Sequence, residues 1–276
     1  MSQVITVKTL KKIGIGLVAL AFFAPFYISL LYSFKTPQEV AMGKLALPTR
    51  LYLNNFIKVV TENPAFATGL TNTVVSTIPV VIILTLFCSM ASYVLARNTR
   101  GFYGFLYYIF LGAMLIPFQS IMFPLYLNFK IAGLSNSLWG FILARIGFQV
   151  PLCILVITGF IKTVPRDLEE AAQIDGANVF ITFWKVIFPL MLPVNVTMIV
   201  LNTLFTWNDF YVALVLLQTN SVRTLPLAQF YYFGENTVEL NLAFAFFTLS
   251  MLPVIILYLF TQKYIVSGIM SGAVKG

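Results

Sequence analysis

Six long apolar runs, at about residues 13–34, 69–96, 102–127, 134–161, 186–217 and 240–262, alternate with shorter polar segments along the chain. A hydrocarbon core of about 30 Å takes roughly 20 helical residues to cross, and every run meets that length. Together they hold 159 of the 276 residues and only two charges, Arg145 and Asp209. The runs far exceed the roughly 9–11 residues of a barrel strand and lack period-two alternation, so helices are the element that pairs every backbone group in lipid. The expected fold is all-α: a polytopic membrane protein of six transmembrane helices, residues 1–276 forming one transmembrane domain.

Composition agrees with the pattern. Hydrophobic residues make up 59% of the chain and charged residues 9%, against about 45–50% and about 25% in soluble domains. Histidine is absent, which excludes histidine zinc sites, a Ser-His-Asp triad and histidine acid–base catalysis. Cys88 and Cys153 lie inside apolar runs; they read as small core hydrophobes, with a disulfide as the alternative, and their spacing is no metal motif. The net charge of +8 is scattered between spans, forms no long basic patch, and so points to membrane orientation and away from nucleic acid.

Lys8, Lys11 and Lys12 precede the first run, which is too long for a secretory signal core and has no Ala-x-Ala exit, so it reads as a retained anchor. Placing these lysines in the cytoplasm also puts Arg97, Arg100, Lys162, Arg166, Lys185, Lys263 and Lys275 inside; Lys35, Lys44, Arg50, Lys58, Lys130 and Arg223 fall outside. The tight turn from Arg97 to Gly101 carries the strongest orientation signal. Both termini are then cytoplasmic. The outer loop 35–68 contains an expected amphipathic helix, "LYLNNFIKVV".

The one long inner loop, 162–185, holds seven charges, more than a connector needs. Its parse is helix, turn, helix. Pro165 suits a helix start, Asp167, Glu169 and Glu170 favour its positive end, and Leu168, Ala171, Ala172 and Ile174 supply an apolar side. Gly176 allows a tight turn; Phe180, Phe183, Trp184 and Ile187 then recur at helical spacing before Pro189 marks entry into the membrane. A solvated tether is the plainer reading of such a loop. A short helix with alanines and a glycine facing outward is shaped to dock in a groove of another protein.

These residues resemble the signature of the permease subunits of bacterial ATP-binding-cassette importers, in the carbohydrate-uptake branch similar to the second maltose-type permease. The signature reads Glu-Ala-Ala, three residues, Gly, nine residues, Ile-x-Leu-Pro. It is matched by Glu170, Ala171, Ala172, Gly176 and Pro189, with Val186 and Phe188 in place of its Ile and Leu, and the branch extension adds Asp175 and Ala177. The similarity continues in "GFILARIGFQVPL", "FTWNDFYVALVLL", "TLPLAQF" and "YIVSGIMSGAVKG". It implies a bacterial plasma-membrane subunit that forms half of a sugar pathway with a homologous permease, is fed by an extracytoplasmic solute-binding protein, and is driven by two cytoplasmic ATPases. The loop helix would be the coupling helix, Glu170 a docking or capping contact and Gly176 the turn that sets its angle. No P-loop occurs in this chain, so it is expected to bind no cofactor and catalyse nothing, with ATP and magnesium belonging to the partner ATPases.

Arg145 and Asp209, the only span charges, invite pairing, since a lone charge in lipid is costly. A role along the translocation path and placement near an interface by helix tilt are the alternatives. Gln119, Gln149, Asn72, Asn202 and Asn208 are candidates for sugar-hydroxyl contacts, with Trp207 or Tyr211 for stacking; each is otherwise helix–helix glue. Pro79, Pro117, Pro124, Pro151 and Pro253 interrupt spans. A polyol or glycerol-phosphate importer and an ion-coupled carrier using Asp209 are the competing functions.

Overall fold

The protein was analysed as a computed structural model that describes residues 2–43, 45–232 and 239–273. Lys44 and Lys275 lie outside the described residues, as do the side chains of Lys8, Lys263 and the C-terminal "YIVSGIMSGAVKG" run. The described residues form helices and no strand. Four helices are long and apolar enough to cross a membrane, and two bent pairs bring the number to six if each counts as one span. The chain divides into two compact units, Met1–Ala67 with Gln229–Leu252 and Thr68–Ala228 with Pro253–Gly276.

In the first unit, helices α1 (Ser2–Ser33), α2 (Pro37–Ala41) and α3 (Asn54–Thr61) come from the N-terminal part. The expected amphipathic helix starts three residues late, and its inward residues are Asn55 and Val59, one helical turn apart. Asn55 is buried because it caps the end of α1: its Nδ2 donates to the carbonyls of Ser33 and Lys35, both at 2.8 Å. Those carbonyls have no intrahelical partner at a helix C-terminus. Asn241 donates to Asn55 Oδ1 at 2.8 Å, which fixes the start of the last helix of the chain, Leu240–Ala273.

The second unit contains α4 (Pro64–Arg97), α5 (Gly101–Ala113), α6 (Phe118–Ile131), α7 (Leu138–Ile161), α8 (Asp167–Ile174), α9 (Val179–Leu190), α10 (Leu192–Trp207), α11 (Tyr211–Leu216) and α12 (Leu225–Ala228); the last helix is α13. Within 138–161, 56% of the apolar window is buried, so α7 is the core helix of its unit, whereas in 11–33 only 6% is buried. Leu84, Cys153, Ile154, Ile157, Ile161, Ile187, Met191 and Met198 form the core around α7. The cysteines are free and buried in this cluster. The α6–α7 turn is tight because Gly133 and Asn136 adopt left-handed backbone and Gly140 lies against the Leu134 carbonyl, where a Cβ would collide.

Two expected spans are broken. The run 102–127 is two helices bent by 102°, because the Met114–Pro117 segment interrupts the ladder ahead of α6, and Pro117 has no N–H to continue it. The run 186–217 begins as α9 already at Val179, bends by 74° at Met191 and stops at Trp207 before resuming as α11. Apolar composition measured the length of these runs and was blind to their direction.

Candidate coupling surface and polar networks

Loop 162–185 folds as helix, turn, helix. Asp167, Glu169 and Glu170 sit in the first turn of α8, where the exposed N–H groups favour negative charge. At its end Gly176 takes φ +84°, and the amides of Gly176 and Ala177 return to the carbonyls of Gln173 (3.0 Å) and Ala172 (2.9 Å). This left-handed cap reverses the chain. Asn178 Oδ1 then accepts the Ile181 amide at 2.9 Å and starts α9.

The outward surface of this element carries Glu170, Ala171, Asp175 and Gly176, all exposed, with Ala172 and Ala177 half-buried beside them. Ile174 is 86% exposed, and Val179 and Phe180 are exposed next to the turn. Phe183 and Ile187 instead pack into the core around α7. The loop thus presents an apolar surface rimmed by acids. Pro189 lies exposed inside α9, and the chain changes direction two residues later, at Met191, not at the proline.

Behind that surface is a network the sequence did not disclose. Glu169 is 8% exposed and turns away from its neighbour Glu170. Arg97 Nε donates to Glu169 Oε1 at 2.6 Å, and Tyr93 OH donates to Oε2 at 2.8 Å. Arg97 also donates to the carbonyls of Ile161 (3.2 Å) and Val164 (3.0 Å), at the C-terminus of α7, while Arg166 donates to the Arg97 carbonyl at 3.0 Å. One guanidinium therefore joins α4, α7 and α8. The usable signal was the adjacency of Glu169 and Glu170: successive helical residues point about 100° apart, so both cannot face the same partner.

Arg145 Nη1 donates to Asp209 Oδ2 at 2.8 Å, and Nη2 donates to the Phe205 carbonyl at 2.9 Å. Asp209 is not inside a straight span but at the break between α10 and α11. In an unbroken helix the Phe205 carbonyl would accept the Asp209 amide, which here reaches Thr206 O at 3.3 Å instead. The arginine takes the released carbonyl, and Asp209 Oδ1 accepts the Ala213 amide at 3.0 Å. The ion pair splints a helix break.

Gln149 lies on the same face of α7. With its amide oxygen toward Arg145 and Thr206 and its nitrogen 2.8 Å from Asn202 Oδ1, each contact pairs a donor with an acceptor. Asn202, fully buried, also donates to Cys153 Sγ at 3.3 Å. Gln149 and Asn202 are therefore held in the α7–α10 interface, and Trp207 is buried, so these three candidates for pathway lining sit inside the helix packing. Asn72 donates to the carbonyls of Ser221 (3.0 Å) and Arg223 (2.9 Å), tying the segment after α11 to α4. Gln119, Asn208 and Tyr211 remain exposed. Among the described residues no group of three or more Cys, Asp or Glu is placed to hold a metal ion.

The comparisons fit this architecture. The family described as binding-protein-dependent transport system inner membrane component matches residues 70–271. The probable starch degradation products transport system permease protein AmyC of Thermoanaerobacterium thermosulfurigenes is 38% identical over 258 residues, 93% of each chain. The melibiose/raffinose/stachyose import permease protein MelC of Bacillus subtilis is 35% identical, over 95% of this chain and 94% of MelC. The fold is shared with a solved bacterial ABC transporter involved in the import of the acidic polysaccharide alginate: TM-score 0.80 at 23% identity, over 93% of this chain and 95% of that one. The chain belongs to the family of inner membrane components of binding-protein-dependent transport systems.

Proposed function

We propose that this multi-pass, non-catalytic permease serves an ATP-driven importer of a sugar or oligosaccharide, pairing with a homologous permease to form the pathway. An extracytoplasmic solute-binding protein delivers substrate, and two ATP-binding subunits, which hold ATP and magnesium, engage the loop 162–185 on the cytoplasmic side. Both termini lie on that side. The observation that carries the coupling role is the exposed turn between α8 and α9, where Glu170, Ala171 and Gly176 stand outward beside an unburied Ile174. The substrate class rests on relatives whose names specify starch degradation products, melibiose, raffinose and stachyose. An ion-coupled carrier asks for an available acid, whereas Asp209 is engaged by Arg145 and the Ala213 amide. A glycerol-phosphate importer asks for converging cations, and Arg145 is neutralised by Asp209.

Extraction of the protein from its native membrane in mild detergent tests the assembly: a second permease and ATP-binding subunits are expected to co-purify. Binding of mono- and oligosaccharides to the partner solute-binding protein tests the substrate. Recovery of this chain alone after gentle extraction would overturn the importer assignment.

A further inference from the structure

An external push on a surface helix moves a transmembrane bundle only if that helix is rigidly joined to it. Loop 162–185 has two covalent connections, at α7 and at α9, and the first runs through the short segment 162–166. Single-bond rotations in a five-residue connector would absorb a displacement unless side chains clamp it.

The clamp is present on the inward face of α8. Arg97 is the last residue of α4; its Nε reaches Glu169 on α8, and its two remaining nitrogens reach the carbonyls of Ile161 and Val164, which bracket the start of the connector. Arg166 closes the circuit by donating to the Arg97 carbonyl. Tyr93, one turn earlier on α4, takes the second oxygen of Glu169 and packs its ring against Phe183 of α9, with centroids 5.5 Å apart. Arg97 and Glu169 side chains are only 12% and 10% exposed, so the pair is little screened by water. A planar guanidinium with a fixed fork of donors resists shear as a single ammonium would not.

We propose that Arg97, Glu169 and Tyr93 form a rigid joint that carries movement of the coupling helix into the cytoplasmic ends of α4 and α7. Glu169 and Arg97 are positioning residues: they act through the helices they join. The adjacent glutamates divide the work, Glu170 facing the partner and Glu169 facing the protein's own bundle. This inference rests on the coupling role proposed for the loop.

The test uses the full complex reconstituted in liposomes, with sugar uptake and ATP hydrolysis measured on the same preparation. Glu169→Gln and Arg97→Gln are each expected to lower sugar transported per ATP hydrolysed by about tenfold, with hydrolysis by the assembled complex changed less than about twofold; the double variant is expected to be no worse than the poorer single, as members of one unit are. Arg97→Lys, which keeps the charge and loses the fork, should recover only part of the ratio. Tyr93→Phe removes one hydrogen bond and is expected to cost about two- to threefold, a variant mild enough to assemble even where Glu169→Gln does not. An unchanged transport-to-hydrolysis ratio in assembled Glu169→Gln and in Tyr93→Phe overturns the joint. So does a proportional fall of transport and hydrolysis together. The wild-type arm separates the two readings: if wild-type complex shows no hydrolysis-dependent uptake, the importer assignment fails, whereas coupled wild type with coupled variants removes the joint alone.

Discussion

Two arginine–carboxylate pairs hold the second unit together, and they differ in what surrounds the arginine. Arg97 stands at a helix end, where the Ile161 and Val164 carbonyls accept two of its donors in addition to Glu169. Arg145 stands two turns into α7, with Asp209, the Phe205 carbonyl and the Gln149 oxygen around it. The first arginine keeps the Ile161 and Val164 carbonyls as partners when its acid is removed. The second would keep polar neighbours but no countercharge, in a position where desolvating a free cation is expensive. Pairs of the same chemistry therefore join different parts: one ties the ends of α4 and α7 to the short helix α8, the other bridges a break in a span.

The contrast is most exposed to failure through the acids. Asp209→Ala is expected to destabilise the protein by about 3–5 kcal/mol, since it leaves Arg145 buried without a countercharge. Thermal unfolding of the detergent-solubilised complex reads this directly, and replacing Arg145 and Asp209 together by leucines should recover much of the loss. Glu169→Ala is expected to cost less, about 1–3 kcal/mol, because Arg97 retains its carbonyl acceptors. Equal losses at the two sites would break the distinction between a splint and a joint.

How much of this was legible in the sequence follows from the range of each interaction. The α8–Gly176–α9 element was readable because its determinants are local, acids in one turn and a glycine at the reversal; the Asn178 cap is what the structure adds. The Arg145–Asp209 pair was readable by scarcity, as the only two charges in the apolar runs. Glu169 was not, since seven charges compete in the loop and its partner is 72 residues away. The bends at Met114–Pro117 and Met191 escaped because hydropathy is indifferent to direction, and prolines such as Pro79 and Pro151 sit inside helices that continue through them. Gln149 and Asn202 read in the sequence either as sugar-hydroxyl contacts or as helix–helix glue, because amides serve both roles; the packing sets them against each other.

The turn between the two faces of the loop offers a finer test. No atom lies within 4 Å of a Cβ added to Gly176, so space is available and only its positive φ opposes a side chain. Gly176→Ala is expected to cost about 1–2 kcal/mol of local stability, and Gly176→Asn less, because asparagine tolerates left-handed backbone. Transport per ATP should follow the same order, Gly, then Asn, then Ala. The reverse order would mean that side-chain volume at the docking surface, not backbone angle, governs coupling.

The smallest expected effect concerns a carboxylate held without any arginine, which serves as the control for both pairs. Glu39 accepts the amides of Thr49 and Thr36, each at 2.9 Å, and the Thr49 hydroxyl at 2.7 Å. The Thr49 and then the Thr36 amide, followed by the Thr49 hydroxyl, hold its carboxyl down at about 2, from an ordinary value of 4.5. A lowered folded-state pKa means that the carboxylate's contribution is complete above 4.5 and is lost as pH falls toward and through 2. Amide exchange at Thr36 and Thr49, corrected for its intrinsic pH dependence, should therefore lose protection across that window and nowhere above it. Glu39→Gln should abolish the pH dependence while leaving transport per ATP unchanged, because this clamp organises the loop 36–49 and touches neither arginine. A coupling defect in Glu39→Gln would show that ordering of this loop, and not the two arginine pairs alone, governs how the helices respond.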